Sequence, residues 1–430
     1  FYNKKMKKKL NILVIGSGAR EHSICWSLRK SKKTDKLFCI PGNAGISEIA
    51  LCEEINLNNK KDILNFCKKK NIELVVIGPE EYLANGLSDF LIKNKINTFG
   101  PNKKASRLES SKSFAKKFLI KHKIPTPRYK EFKSLIRAKN FLKKSKFPIV
   151  IKADGLAAGK GVIICQNFSE GIFTLNEILK ERKFGDAGKK VIIEEFIEGY
   201  EISFFAFFDK KTFIPFGYAL DHKKAYEDDI GPNTGGMGCF TPSKLVNKVL
   251  EEKIYTKIIK KTFSGLKKDK INYRGIIFFG LIIKDHKPYI IEYNVRFGDP
   301  ECQTLLRDLK TDLLDILLAT TEDKLSEIKI LKYNMKIVCV VLASLGYPGI
   351  YEKNKLLKNL DKAKQQKNIE IFHAGTKLIK NKFYSNGGRV LSVTAKSNTI
   401  ENARKIAYKT LKIINWQDGF FRKDIGIKNK

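Results

Sequence analysis

Residues 148–161, PIVIKADGLAAGKG, join a short apolar run ending in Lys152 to a loop that carries Gly155, Gly159 and Gly161 around Lys160. Glycines let a backbone turn with positive φ and bring its N–H groups close to a ligand, which suits a cover over phosphates. Both lysines put positive charge where phosphate oxygens would lie. This is not a Walker A loop: Gly155 and Gly159 are separated by three residues, and Gly161 rather than Ser or Thr follows Lys160. Taken alone, such a loop reads equally well as a surface turn. A second chemical stretch is YIIEYNVRFGDPE, 289–301. On a strand, Glu292 and Asn294 project from one face. A carboxylate and an amide oxygen there are hard ligands for magnesium held between protein and phosphates. Arg296, on the same side, can grip a carboxylate or phosphate through two parallel bonds. A solvated strand face is the plain alternative, and the apolar Tyr289-Ile290-Ile291 run before it argues against that.

The elements that must position these groups follow from the apolar runs. NILVI (11–15) predicts a buried strand that turns through GSGAREH (16–22) into a helix, a junction where an anion can meet the helix N-terminus. A dinucleotide fingerprint would need glycine at position 21, which is Glu21, while Arg20 and His22 add donors for a phosphate or sugar. LFCI (37–40) and ELVVIG (73–78) are each followed by turn residues and a helical pattern, and INTFGP (96–101) closes the series. That alternation predicts a doubly wound parallel sheet to about residue 105, with Gly16–His22, Pro41–Gly45 and Gly78–Glu80 facing one crevice. Residues 106–121 read as one amphipathic helix, with apolar positions 108, 114, 115, 118 and 119. Two β-rich runs lie in 189–208 and another strand in 212–220, before a long Gly/Asn/Pro-rich loop at 221–242. Residues 274–303 predict a hairpin, and the chain beyond 331 alternates apolar runs with turns before a helix near 399–414.

Composition narrows the classes. In 430 residues, 43% hydrophobic, no run of eighteen apolar residues occurs, so no membrane span is expected. The opening FYNKKMKKKLNILVIG imitates a secretory signal, but its apolar run is short and breaks at Gly16-Ser17-Gly18, so it reads as a first strand with the domain starting at Met6. A net charge of +38 invites a nucleic-acid reading, yet lysine is spread along the whole chain and no RNP, zinc-finger or helix-turn-helix signature occurs. Small phosphorylated substrates answer the same charge. The eight cysteines show no CxxC, and the five histidines form no cluster, so neither zinc nor disulfides are indicated and a reducing, cytoplasmic location is the default.

IKADGLAAGKGV, EEFIEG, GPNTGGMG and RFGDPE, in this order, resemble the glycinamide ribonucleotide synthetase (phosphoribosylamine–glycine ligase) family of ATP-grasp enzymes. GAREH, PGNAG, GPE, FGDAG, DHK, FHAGTK, NGGRVL and RKDIG extend the likeness over almost the whole chain. The resemblance implies an α/β and α+β multidomain fold. Its parts would be an N-terminal domain (6–105), an ATP-grasp central domain (106–125 and 190–330) with a mobile lid (126–189), and a β-rich C-terminal domain (331–427). By similarity, Lys112 and Lys152 contact the phosphates of ATP beneath a cover formed by Gly155, Gly159, Lys160 and Gly161. Glu194, Glu195, Phe196 and Ile197 would meet the adenine, Glu201 the ribose, and Glu292 with Asn294 a Mg2+ or Mn2+ ion. Phosphoribosylamine is expected near Gly18, Arg20, Glu21, His22, Asn43, Gly78, Pro79 and Glu80. Glycine is expected near Asp221, Lys223, Asn233, Thr234, Gly235, Gly236, Arg296 and Asp299, with Arg296, Lys152, Asp221 and Lys223 serving catalysis. Lys224 departs from the pattern, which implies arginine there, and lysine cannot reproduce bidentate recognition.

The implied reaction ligates glycine to 5-phosphoribosylamine in purine biosynthesis, through glycyl phosphate and with release of ADP and phosphate. Positioning and charge neutralisation carry such phosphoryl transfer, matching a chain rich in lysines and lacking a nucleophile constellation. A monomer is expected, with channelling to neighbouring purine enzymes; because the chain ends soon after RKDIG, no fusion to later modules is expected. Another ATP-grasp ligase or carboxylase, an NAD-dependent enzyme and a nucleic-acid-binding protein remain the rival readings at this point.

Overall fold

The computed structural model describes residues 9–157 and 161–427. The N-terminal sheet is parallel, in the order Leu51–Cys52, Thr34–Pro41, Leu10–Gly16, Ile72–Ile77, Thr98–Phe99. Ile12, Leu13, Val14 and Ile15 have no exposed surface, as expected of a strand covered on both faces. The helix Ala19–Arg29 leaves at the carboxyl end of that strand. The register sets Gly16 beside Pro41 and Ile15 beside Ile77, so the turns after these strands emerge together.

The central sheet is antiparallel and larger. It runs Lys287–Asn294, Gly275–Lys284, Tyr200–Phe208, Phe213–Asp221, Gly238–Thr241, and continues without a break into Lys336–Ser344, Arg389–Ser397 and Ile369–His373. The junction is the pairing of Gly238–Thr241 with Lys336–Ser344, where Cys239 lies opposite Cys339. The β-rich C-terminal segment therefore extends the central sheet. Its helix Ile400–Ile414, capped by the Thr399 side chain, packs across the strands.

A third sheet, Tyr129–Phe132, Val191–Glu195, Ile149–Ala153, Val162–Cys165, stands over the cleft with its own small core around Ile151, Leu175 and Ile193. Val191–Glu195 pairs within this lid sheet and then leads directly into Tyr200–Phe208 of the central one.

Two local expectations need correction. The single helix over 106–121 is two, Lys103–Ser110 and Lys112–Lys121, broken at Ser111, whose backbone is extended (φ −140°, ψ 103°). The Ser111 hydroxyl accepts from Phe114 N–H and donates to Asp154, bonds that outweigh one more helical residue. The loop at 221–242 contains a hairpin, Lys224–Tyr226 with Ile230–Asn233. Its residues are mostly exposed, so the pairing leaves no hydropathy pattern to read.

Candidate active site

A cavity of about 950 Å³ lies where the three sheets meet. Lys152, the fourth residue of Ile149–Ala153, enters it from the lid with only 5% of its surface exposed. Its amine donates to the Ile291 carbonyl at 2.9 Å and pairs with Glu194 Oε2 at 3.0 Å. The same carboxylate oxygen is 3.2 Å from the amine of Lys116, while Glu194 Oε1 is buried and meets no partner among the described residues. Burial pushes the Lys116 amine down to about 8, with Glu194 opposing. Glu194, its carboxylate fixed by two lysines and one oxygen buried without a partner among the described residues, lines the cavity beside Glu195, Phe196 and Ile197.

The break at Ser111 makes Lys112 the first residue of its helix, and its amine donates to Gly155 O at 2.8 Å. Asp154, next to that glycine, accepts from Ser113 N–H at 3.0 Å and Ser113 Oγ at 2.6 Å, and pairs with Lys190 at 2.9 Å. The carboxylate thus sits at a helix N-terminus and ties the base of the glycine-rich loop to the central domain. Gly155 has φ +154°, and a Cβ there would press on Ala187 at 2.7 Å. Gly161 also lines the cavity; Gly159 and Lys160 lie outside the described residues.

Glu292 and Asn294 occupy one face of Lys287–Asn294, with Asn294 Nδ2 donating to Glu292 Oε1 at 3.1 Å. Room for the carboxylate comes from Gly280 on the paired strand, where a Cβ would stand 2.6 Å from Glu292 Cγ. Lys223 Nζ is 3.5 Å from Glu292 and 3.4 Å from Glu201. Burial alone would raise the Glu292 carboxyl, but Lys223, Asn294, Lys152 and Lys112 bring it down to about 2. Burial alone would lower the Lys223 amine, and Glu292, Glu201 and Asp221 hold it above the ordinary lysine range. Both side chains keep about a third of their surface open to the cavity (32% and 34%), so cavity solvent screens this pair. An ionised carboxylate beside an amide oxygen fits a magnesium-type ion, which takes few protein oxygens and shares the rest of its shell with phosphates and water.

Arg296 does not stand free. Its Nε is 3.0 Å from Glu80 Oε2, and its Nη2 donates to Glu109 Oε1 at 2.9 Å and Asn294 Oδ1 at 3.2 Å. Arg296 holds Glu80 down to about 2, whereas burial pushes Glu109 up to about 7 despite the same guanidinium. The difference follows exposure: the side chains are 30% and 8% accessible.

At the far end, Asp221 Oδ1 is buried and meets no partner among the described residues; burial and the neighbouring Glu301 raise its carboxyl well above the ordinary range. Asn233, Thr234 and Gly235 line this end with Asp299. Arg389, from the C-terminal strands, donates to Asp299 O at 2.7 Å and Gly235 O at 3.0 Å. On the N-terminal wall, Gly18, Arg20, Glu21, Pro79 and Glu80 reach the cavity. The anion at this helix N-terminus is the chain's own: Glu21 accepts from Gly18 N–H at 2.7 Å and pairs with Arg20.

Four residues expected here line other ground. His22 is buried, its Nδ1 accepting from His373 N–H at 2.8 Å, and burial pushes its imidazole down to about 3. Asn43 donates to Ser17 O and His373 O, bracing the N-terminal turn against the C-terminal strands. Gly78 leaves space for the Glu21 carboxylate, and Gly236 backs Asp221.

Residues 10–109, 110–302 and 337–428 match, in turn, the N, ATP-grasp (A) and C domains of phosphoribosylglycinamide synthetase. The chain belongs to the phosphoribosylglycinamide synthetase family. Among its relatives in that family, the phosphoribosylamine–glycine ligase of Fusobacterium nucleatum is 44% identical over 97% of this chain and 98% of its own. The crystal structure of the Thermotoga maritima phosphoribosylamine–glycine ligase superposes with a TM-score of 0.85 at 32% identity, covering 97% of this chain and 100% of that one. A Campylobacter jejuni biotin carboxylase, 14% identical, shares the fold with a TM-score of 0.76, covering 98% of this chain and 95% of that one. The family's ATP-grasp arrangement accounts for the lid sheet facing the central sheet across the cavity.

Within this synthetase fold, Glu109, Lys116, Glu301 and Arg389 reach the cavity, although local sequence did not single them out. Glu109 and Lys116 lie in the two short helices and mix with many solvent-facing charges, so no pattern marks them. Glu301 sits inside RFGDPE and could have been found from that motif.

Proposed function

We propose that the chain is a phosphoribosylamine–glycine ligase, joining glycine to 5-phosphoribosylamine with ATP to give glycinamide ribonucleotide, ADP and phosphate. The observation that carries this reading is the meeting of Lys152, Glu292, Asn294 and Arg296 in one cavity of a chain whose N, A and C domains all match the synthetase family.

In this reading Lys112 and Lys152 hold the nucleotide phosphates beneath the glycine-rich loop that begins at Gly155, and Lys223 serves the glycine end of the cavity. Glu194 Oε1, fixed by Lys116 and Lys152 and still unpaired, accepts from the adenine amino group, beside backbone groups of Glu195 to Ile197. Glu292 and Asn294 hold Mg2+ or Mn2+, which when bound supplies further positive charge to the phosphates. The partnerless oxygen of Asp221 suits the ammonium of glycine, and Arg296 suits its carboxylate once the substrate displaces Glu80 or Glu109. Phosphoribosylamine approaches from the Gly18–Glu21 and Pro79–Glu80 wall, and the lid excludes water from the acyl phosphate. No described helix is long and apolar enough to cross a membrane; a cytoplasmic monomer working beside other purine enzymes completes the proposal. ADP release measured with each substrate omitted in turn tests it: full release without glycine, or without phosphoribosylamine, overturns the assignment.

A further inference from the structure

The hairpin behind Lys223 has no neighbouring strand among the described residues, and what holds it comes from elsewhere: the Tyr226 ring packs on Phe420 with centroids 5.8 Å apart. Lys224–Tyr226 and Ile230–Asn233 form a sheet with each other alone among the described strands, and Tyr226 and Ile230 are 50% and 63% exposed. Its tip carries two consecutive non-glycine residues in left-handed conformation, Asp228 (φ 56°) and Asp229 (φ 57°). Such backbone persists only where surrounding groups over-determine it.

Those groups come from the other end of the chain. The guanidinium of Arg422, with no exposed surface, donates through Nη1 to Lys224 O at 3.1 Å and to Asp229 Oδ1 at 3.0 Å. Its Nε donates to Asp424 Oδ1 at 2.8 Å and its Nη2 to Asp424 Oδ2. Asp424 Oδ2 also accepts from Asp228 N–H at 3.1 Å, and Glu227 accepts from Lys423 N–H at 3.2 Å. One planar donor fork therefore holds the root of the hairpin at Lys224, its tip at Asp229, and the segment that carries the fork. At the root, Thr234 donates through N–H (2.7 Å) and Oγ1 (2.8 Å) to Lys223 O, so the lysine moves with the hairpin.

We infer that Arg422, clamped by Asp424, is a positioning residue that holds the Lys224–Asn233 hairpin and thereby sets Lys223 and Thr234 at the glycine end of the cavity. This rests on the proposed ligase reading, and acts without touching substrate. The clasp is cut from either side by Arg422→Gln and by Asp229→Asn; the latter alters a 40% exposed side chain and leaves the Arg422–Asp424 pair intact. Hydrogen exchange of the amides in 224–233 should quicken in both variants. The KM for glycine should rise by roughly ten- to a hundredfold, the cost of a misplacement of about 1 Å, while the KM for ATP stays within about twofold. Arg422→Lys should recover only part of the loss, since lysine cannot bridge both hairpin sites and Asp424. Unchanged hairpin exchange in Asp229→Asn, or an equal rise in both KM values, overturns the inference. If wild-type protein fails to consume ATP in a glycine-dependent way, the ligase reading falls, and the exchange measurement still decides whether the clasp holds the hairpin.

Discussion

Replacing Lys152 with alanine tests the nucleotide half of the site most directly. The amine is nearly buried and held by two acceptors, Ile291 O and Glu194, so its charge is fixed before substrate arrives. A unit charge about 4 Å from a phosphoryl oxygen, at an effective dielectric near 20, contributes about 4 kcal/mol. Preorganised donors of this kind cost roughly 10²–10³ in turnover when removed, about 2.7–4 kcal/mol, so the two estimates agree. Lys112 remains nearby, which places Lys152→Ala near the lower end, about 10²-fold in kcat. Structural loss is moderated because Lys116 still pairs with Glu194 after the change. Breaking a buried pair outright costs about 3–5 kcal/mol; with that second lysine present, stability should fall by less. Steady-state ADP release at saturating ATP, glycine and metal gives kcat, and urea denaturation gives stability. A kcat within about threefold of wild type, in a variant that binds ATP, would refute the assignment of Lys152 to the transferred phosphate.

Glu292→Ala should raise the metal concentration needed for half-maximal activity by about tenfold or more, read by titrating Mg2+ and Mn2+ against turnover. Gly280→Ala should move the same requirement in the same direction without altering a ligand, because its Cβ would crowd Glu292 Cγ at 2.6 Å; an unchanged metal curve would show that the carboxylate tolerates displacement. Glu109 titrates at about 7 when folded, above the ordinary carboxyl value of 4.5, so its contribution is fully present below about pH 4.5 and is lost as pH rises through 7. The loss amounts to about 3 kcal/mol; Glu109→Gln should flatten that part of the stability profile measured by denaturant between pH 5 and 8.

The parts of the site legible in sequence were those where local spacing does the positioning. Glu292 and Asn294 share a face because strand side chains alternate, and their bond at 3.1 Å follows from that spacing; Arg296, in the bend just past the strand, still reaches Asn294 at 3.2 Å. The lysine at the end of Ile149–Ala153 and the glycines after it likewise mark themselves. Groups that only tertiary folding brings in stayed hidden. Glu109 lies 187 residues before Arg296, and Arg389 lies 154 residues beyond Gly235. His22 fails for the converse reason: next to Arg20 and Glu21 it looks like a donor to ligand, but its helix turns it toward Phe372 and His373. Apolar spacing continues across the break at Ser111 and hides it, although a serine at that point is a fair capping signal.

The unbroken run of strands from Gly238–Thr241 into Lys336–Ser344 bears on how the polypeptide can be divided. Excising everything from Lys336 onward would strip Gly238–Thr241 of its neighbour and leave a naked edge lined by Cys239 and Phe240, a template for intermolecular pairing. Fragments cut at that boundary should therefore precipitate rather than fold, and a swap of carboxyl-terminal segments between relatives would succeed only if both sides of the seam travel together.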